Sequence, residues 1–373
     1  MRLKTTKSLT SAIGIAMALL LSSWHENACL FAEGGADYRL FLRYANSKVP
    51  ETSWTPTQPR LIYEGVPATK EERYRVVPCL VRMLDGTLVL AAEPGGGEPV
   101  FIRSTDGGNT WSDPYTGKLQ EGVRTISTLG VRRDGRLMAV SERPLRLAHS
   151  HDLGKTWTAG NLIEASPLKN AWVWTGGRLL ELNDGTLLIP VAGYLKPNWL
   201  SSAVLLSKDE GANWSFSLIG HGNPDNRMIF SEPAVAKLEG GGLVALLRTE
   251  DRVSKVVPGE PRGERTGLWR VNSWDGGKTW SSPIETLPGS HCSVVQLPDQ
   301  VLLCGYHRPP RLALSSDAGR SWYANMLWST DQPKSDWGWY TMVEPVDDTT
   351  AIVLIKDMQS YNTIRACFLK RQP

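Results

Sequence analysis

One eight-residue pattern, S-x-D-x-G-x-[TSN]-W, occurs five times in this chain. The copies are Ser104–Trp111, Ser150–Trp157, Ser207–Trp214, Ser273–Trp280 and Ser315–Trp322. A unit repeated in this way cannot bury its apolar surface alone, so its copies must stack against neighbours in a repeat architecture. Each residue type in the pattern has its own job. The Asp accepts amides of its own turn, the Gly supplies a positive φ, and the Trp fills the space between adjacent sheets.

A second signal alternates with the first: an apolar strand, a tight turn and an apolar strand. It runs over Pro78–Glu93, Ile126–Glu142, Gly176–Gly193, Glu232–Arg248, Ser293–Arg308 and Tyr340–Lys356. Three of these six hairpins turn on Asp-Gly, whose conformation matches the twist of paired strands. Hairpin, loop, third strand, box and fourth strand together make a four-stranded antiparallel blade. Six such units predict an all-β, six-bladed β-propeller. The last unit has no box and stops after its third strand near 363–370, so its outer strand is expected from the N-terminal side. Residues 59–65, PRLIYEG, are the candidate that closes the ring. Helical periodicity is absent.

The first residues carry a basic segment (Arg2, Lys4, Lys7) and then an apolar run from Ala12 to Leu21, too short to span a bilayer. This reads as a signal peptide over 1–28, with cleavage between 28 and 32. A lead-in follows over 29–58, and the propeller occupies 59–373. The chain is therefore expected to be secreted or periplasmic, with no membrane insertion. The net charge is only +3 and no polybasic run stands out, which argues against nucleic acid as a partner. Five cysteines are scattered, four of them in apolar strands, so they read as buried thiols rather than a disulfide framework or metal site.

Topology separates two faces. The hairpin turns and boxes share one; the starts of the first strands and the ends of the second strands share the other. On that second face the sequence places Arg75 and Glu98 from blade 1, Arg124 and Glu142 from blade 2, and Trp172, Trp174, Tyr194 and Trp199 from blade 3. Glu232 and Arg248 come from blade 4, His291, His307 and Arg308 from blade 5, and Tyr340 and Lys356 from blade 6. Guanidinium forks, imidazoles and stackable rings at one mouth suit an acidic carbohydrate as partner.

The five boxes resemble the Asp-box repeats of the sialidase (neuraminidase) superfamily, over roughly residues 59–370. The resemblance implies a monomeric exo-α-sialidase-like glycoside hydrolase that needs no metal and no cofactor. Carried over position by position, it makes Tyr340 the nucleophile and Glu232 the base that activates it. Arg248, Arg308 and Arg75 would hold the substrate carboxylate; Arg124, His291 and Trp174, which topology alone puts on the same face, are the further substrate-binding candidates. A sugar with a carboxylate on its anomeric carbon repels a carboxylate nucleophile, so a phenol is the better attacker. The likeness departs from the family in two places. Arg75 stands one residue too far from Pro78, and Arg124–Ser127 lacks the aspartic acid that would protonate the leaving group. Glu121 and Glu98 are the nearby carboxylates that could stand in. Two alternatives stay open: an exo-glycosidase for a different sugar, and a carbohydrate-binding propeller without catalysis.

Overall fold

The computed structural model describes residues 54–65, 78–93, 98–197, 199–222, 228–251, 266–307, 311–326, 339–357 and 363–371. The signal-peptide expectation lies outside them. Six antiparallel sheets follow one another along the chain, and their innermost strands contact each other in succession to close a ring. The architecture is the six-bladed propeller expected from the repeat. Among the described residues the one helical piece is a single 3-10 turn, Thr175–Gly177, and no helix is long and apolar enough to cross a membrane.

Blade 1 comprises Cys79–Arg82, Leu88–Glu93, Val100–Ser104 and Tyr115–Thr116. In blade 2, Thr128–Val131, Leu137–Ser141, Arg146–Ser150 and Thr156–Leu162 are joined by a short parallel strand, Lys118–Leu119. Blade 4 is built from Met228–Lys237, Leu243–Asp251, Thr266–Ser273 and Ile284–Pro288. Blade 5 follows with Ser290–Gln296, Leu302–His307, Arg311–Ser315 and Tyr323–Met326. Blade 6 has Trp339–Pro345, Thr350–Asp357 and Thr363–Arg371. Its outer edge is filled by Arg60–Glu64, which pairs with the last strand as expected, and also by Trp54–Pro56.

Blade 3 is irregular. Its long strands Leu187–Lys196 and Trp199–Ser207, with Ser215–Gly220 outside them, are ordinary. Its inner strand is broken into Lys169–Trp172 and Leu180–Glu181. The 3-10 turn between the pieces crosses toward the far side of the ring. A Cβ on Gly176 would lie 2.5 Å from the Cys292 carbonyl, and one on Gly177 would lie 2.6 Å from the Pro233 carbonyl. Backbone therefore meets backbone here, and only glycine fits.

Each box repeats one hydrogen-bond set. In the first, Ser104 Oγ donates to Asp106 Oδ1 (2.8 Å), and the Gly108 amide donates to Ser104 Oγ (2.8 Å). The Thr110 amide and hydroxyl donate to the two Asp106 oxygens (2.8 and 2.6 Å), and the Trp111 indole donates to Gly108 O (3.1 Å). The other four boxes have the same bonds around Asp152, Asp209, Asp275 and Asp317.

Every box also leans on the blade before it. Gly108 sits against Ile352 and Phe368 of blade 6, Gly154 against Phe101 of blade 1, and Gly211 against Leu147 of blade 2. Gly277 meets Leu188 of blade 3, and Gly319 meets Val244 of blade 4. Five of the six inter-blade cores thus receive a box tryptophan: Trp111, Trp157, Trp214, Trp280 and Trp322. The sixth, between blades 5 and 6, has no box because blade 6 carries none. There Trp54 from the N-terminal edge strand packs against the cluster instead. Cys79, Cys292, Cys304 and Cys367 are buried and lie outside any disulfide.

Trp54 thus serves the one interface the repeat leaves unstapled. Because Trp54 is half-buried, Trp54→Ala is expected to cost about 2 kcal/mol of unfolding free energy, below the range for a fully buried tryptophan. Denaturant unfolding measures this. Hydrogen exchange should show the loss of protection centred on blades 5 and 6.

Candidate active site

Glu232 and His291 are placed by the same device in neighbouring blades. In blade 4 the strand pairing steps from Ser231↔Arg248 to Ala234↔Leu246, which inserts one extra residue at Glu232–Pro233. In blade 5 it steps from Ser290↔His307 to Cys292↔Tyr306, with His291 as the extra residue. Both residues have left-handed backbones, at φ 48° and 45°. A non-glycine residue there costs on the order of 1–3 kcal/mol, and such bulges re-aim side chains. Here the bulges turn a carboxylate and an imidazole toward each other. The sequence carries no sign of either bulge, because neither position is Gly or Asn.

Arg248, paired in register with the residue before Glu232, completes a buried charge cluster. Its Nη1 donates to Glu232 Oε1 (2.8 Å) and lies 3.1 Å from His291 Nε2. His291 Nε2 is also 3.1 Å from Glu232 Oε2, and its Nδ1 is 3.0 Å from Ser290 Oγ. Burial alone would raise the Glu232 pKa, but His291 and Arg248 outweigh it and hold the carboxyl down at about 2.

Three more rings gather around His291 in this cluster. His291 stacks on His307 (centroids 4.2 Å apart), and Tyr340 meets the two imidazoles edge-on at 5.2 and 5.1 Å. Trp174 lies 5.1 Å from His291 and 5.5 Å from Tyr340, and its indole donates to the Cys292 carbonyl (3.0 Å). Trp174 is carried there by the glycine turn of blade 3. At 9% exposed it is a floor beneath the His291 imidazole and the phenol. Tyr340 is 8% exposed, and its register partner across blade 6 is Lys356, which is fully buried. Register partners share a face, so the ammonium stem runs beside the phenol.

Of the residues singled out in the sequence, Glu232, Arg248, His291, Tyr340 and Trp174 are therefore brought together. Arg75 and Arg308 lie outside the described residues. Glu98 and Arg124 are exposed; the Arg124 amide is fixed by Ser141 Oγ (2.9 Å). Glu121 is exposed in the turn closed by the Val123 amide on Gln120 O, with Gly122 next to it against Arg146 and Ala159 of the outer half of blade 2. Among the described residues no contact joins Glu98, Glu121 or Arg124 to the Tyr340 cluster. His307, which its position at the end of a second strand places on the mouth face, joins that cluster although the resemblance gives it no role. The rim adds Trp172 and Tyr194, half-buried with ring centroids 6.3 Å apart.

At the opposite end, on the face of boxes and hairpin turns, lies a cavity of about 980 Å³ lined by Arg178, Lys237, Trp214, Asp275 and Glu344, among others. Arg178 spans the ring to pair with Glu344 and to bond the Val343 carbonyl. This hollow lacks the carboxylate–imidazole–phenol set, and chemistry rather than volume locates the candidate site.

A ring of six sheets stapled by Asp boxes, with a charged aromatic mouth at one end, defines a propeller of the sialidase-like class. The sequence matches the BNR repeat-like domain family over residues 137–343, more than half of the chain, and the protein belongs to that family, within the sialidase superfamily. A sialidase of Bacteroides fragilis is 25% identical over 301 residues. These are 75% of this chain and 51% of the relative, so the chain spans about half the length of that protein. Among solved structures, a Hadza microbial sialidase superposes with a TM-score of 0.58 at 20% identity, covering 78% of this chain and 65% of that one. An α-L-arabinanase of Penicillium chrysogenum complexed with arabinobiose gives 0.63 at 16% identity, covering 85% and 98%. These likenesses establish the shared fold.

The depressed pKa of Glu232 makes a stability prediction. A carboxyl lowered in the folded state stabilises it fully above the ordinary value of 4.5, and the contribution disappears as pH falls toward about 2. Between about pH 5 and about pH 2 the wild-type chain should lose on the order of 3 kcal/mol more unfolding free energy than Glu232→Gln. Parallel pH–stability curves would show that Glu232 is not held ionised.

Proposed function

We propose that the protein is a glycoside hydrolase that removes a terminal acidic sugar, sialic acid or a close relative, by attack of Tyr340 on the anomeric carbon. The observation that carries this reading is the meeting of a phenol with a carboxylate–imidazole pair at the mouth of an Asp-box propeller. A phenol is a poor nucleophile until its proton has somewhere to go. A carboxylate held at about 2 is a weak base by itself, so the acceptor is the Glu232–His291 pair, with Glu232 stabilising positive charge on the imidazole. Lys356, on the same face of blade 6 as Tyr340, favours the phenolate by simple attraction.

Arg248 presents a guanidinium at the same mouth, already anchored through Nη1. Together with Arg75 and Arg308 it is assigned to the substrate carboxylate, because a planar fork matches a carboxylate geometrically. The half-buried Trp172 and Tyr194 offer ring faces to the sugar. The B. fragilis relative bears the name sialidase, which supports the acidic sugar. The N-terminal apolar segment supports export to the periplasm or beyond, where glycans are met.

The test is fluorophore release from an aryl α-sialoside by the wild-type chain beside Tyr340→Phe. Wild-type turnover that falls by at least about a thousandfold in the variant is expected for loss of a nucleophile. Equal turnover by the two proteins would remove Tyr340 from the mechanism. Turnover confined to aryl glycosides of neutral sugars would remove the acidic substrate.

A further inference from the structure

The charge cluster contains an attacking group and a pair to take its proton, but nothing so far protonates the departing oxygen. We propose that Glu142 is the proton donor to the leaving group, an inference that rests on the hydrolase reading above. Glu142 stands just past the second strand of blade 2, Leu137–Ser141. That is the same topological position from which blade 5 presents His307, at the end of Leu302–His307, and blade 6 presents Lys356, near the end of Thr350–Asp357. The mouth ends of the second strands lie on one face of the ring, so the three residues stand on the same face.

Its immediate contacts fix it there. The Glu142 amide donates to Thr125 Oγ1 (2.9 Å), and Ser141 Oγ accepts from the amides of Arg124 and Thr125 (2.9 and 3.2 Å). The Glu142 backbone is thereby tied to the Arg124–Ser127 segment, where the family resemblance calls for a proton donor and the sequence offers none. On its other side, Glu142 Oε1 accepts the Val173 amide (3.1 Å). Val173 is the neighbour of Trp174, the ring that floors Tyr340 and His291. Among the described residues Oε2 accepts no hydrogen bond and the residue is only half-buried, so the second oxygen is left to carry a proton.

The electrostatics agree with the placement. Burial raises the Glu142 pKa above the ordinary carboxylate range, and the Val173 amide and the adjacent Arg143 offset this only in part. Glu142 and Glu232 are thus two carboxyls at one mouth pushed in opposite directions, one toward the acid and one held ionised. Such a split is what acid–base work at near-neutral pH requires.

The step balances as follows. Glu142 O–H gives its proton to the glycosidic oxygen as the bond from that oxygen to the anomeric carbon breaks, and the aglycone leaves as an alcohol. Tyr340 Oη forms the new bond to the anomeric carbon, its proton passing to Glu232–His291. In the return step the Glu142 carboxylate takes a proton from water, the water oxygen displaces the tyrosyl oxygen, and the phenol regains its proton.

Glu142→Gln is the informative variant, because glutamine keeps the acceptor for the Val173 amide and so spares the local fold. Sialyllactose, with a sugar alcohol as leaving group, and a nitrophenyl α-sialoside, with an acidic one, would be compared across pH. Glu142→Gln should lose about 100- to 10,000-fold on sialyllactose and less than about tenfold on the nitrophenyl substrate. The alkaline limb of the wild-type pH profile should also disappear. Equal losses on both substrates, or an alkaline limb that persists in the variant, would overturn the acid role while leaving the hydrolase reading intact. If the wild-type chain cleaves another sugar, the same pair of leaving groups on that sugar applies. Failure of the wild-type chain to cleave any nitrophenyl glycoside would overturn both readings together.

Discussion

The contact between each Asp box and the blade behind it is the interaction on which the rest of the structure depends. A four-stranded blade has two faces to bury and cannot bury either alone. The box solves the problem at the turn between third and fourth strands. It freezes an eight-residue turn around one carboxylate, sets a glycine against an aliphatic or aromatic side chain of the preceding blade, and sends an indole toward the shared core. The carboxylates are tuned for this work. Bonds from the threonine or asparagine side chain and amide hold Asp106, Asp209 and Asp275 at about 2, so they remain ionised acceptors at any ordinary pH. Because every box points backward, the order of blades is enforced one interface at a time. The interface without a box borrows Trp54.

That regularity is why the fold was legible. Box spacing and hairpin alternation named six blades, the order of their strands and the source of the closing strand, and they separated the two faces of the ring. The irregularities were not legible, and they are the parts that make the site. Nothing in Ala-Trp-Val-Trp-Thr-Gly-Gly announced that the inner strand of blade 3 would break and cross the ring, although the paired glycines record the backbone contact that permits it. Nothing at Glu232 or His291 announced a left-handed residue. Propensity disfavours that conformation for both, and surrounding structure imposes it. Sequence position alone singled out Glu98 and Glu121, which the structure leaves exposed, and placed Glu142 on the mouth face without a role; its claim comes from burial and from the Val173 amide.

The buried charge at the mouth shows how a site can be both costly and stable. Glu232 loses its water and recovers the loss through Arg248, by a hydrogen bond at 2.8 Å, and through the His291 imidazole, which becomes a second cation when it takes a proton. Removing any one member would strand the others in a medium that solvates them poorly. The cluster is interlinked: Arg248 touches both Glu232 and His291, and His291 in turn meets Tyr340 edge-on. Trp174 adds a floor that His291 and Tyr340 share, so a change in blade 3 reaches blades 5 and 6 together.

The closing seam of blade 6 has a consequence for how the chain can be rewritten. Trp54 is paired with Arg371 and Thr55 with Lys370, so the two ends of the described chain lie side by side on one sheet edge. The ring thus has no privileged starting point. A short linker across that seam, with a new opening cut in an exposed hairpin turn such as Gly240–Gly241, would give a circular permutant with every blade, box and mouth residue in place. Blade order around the axis is then a property of the closed object, and the position of the termini is an accident that engineering can move.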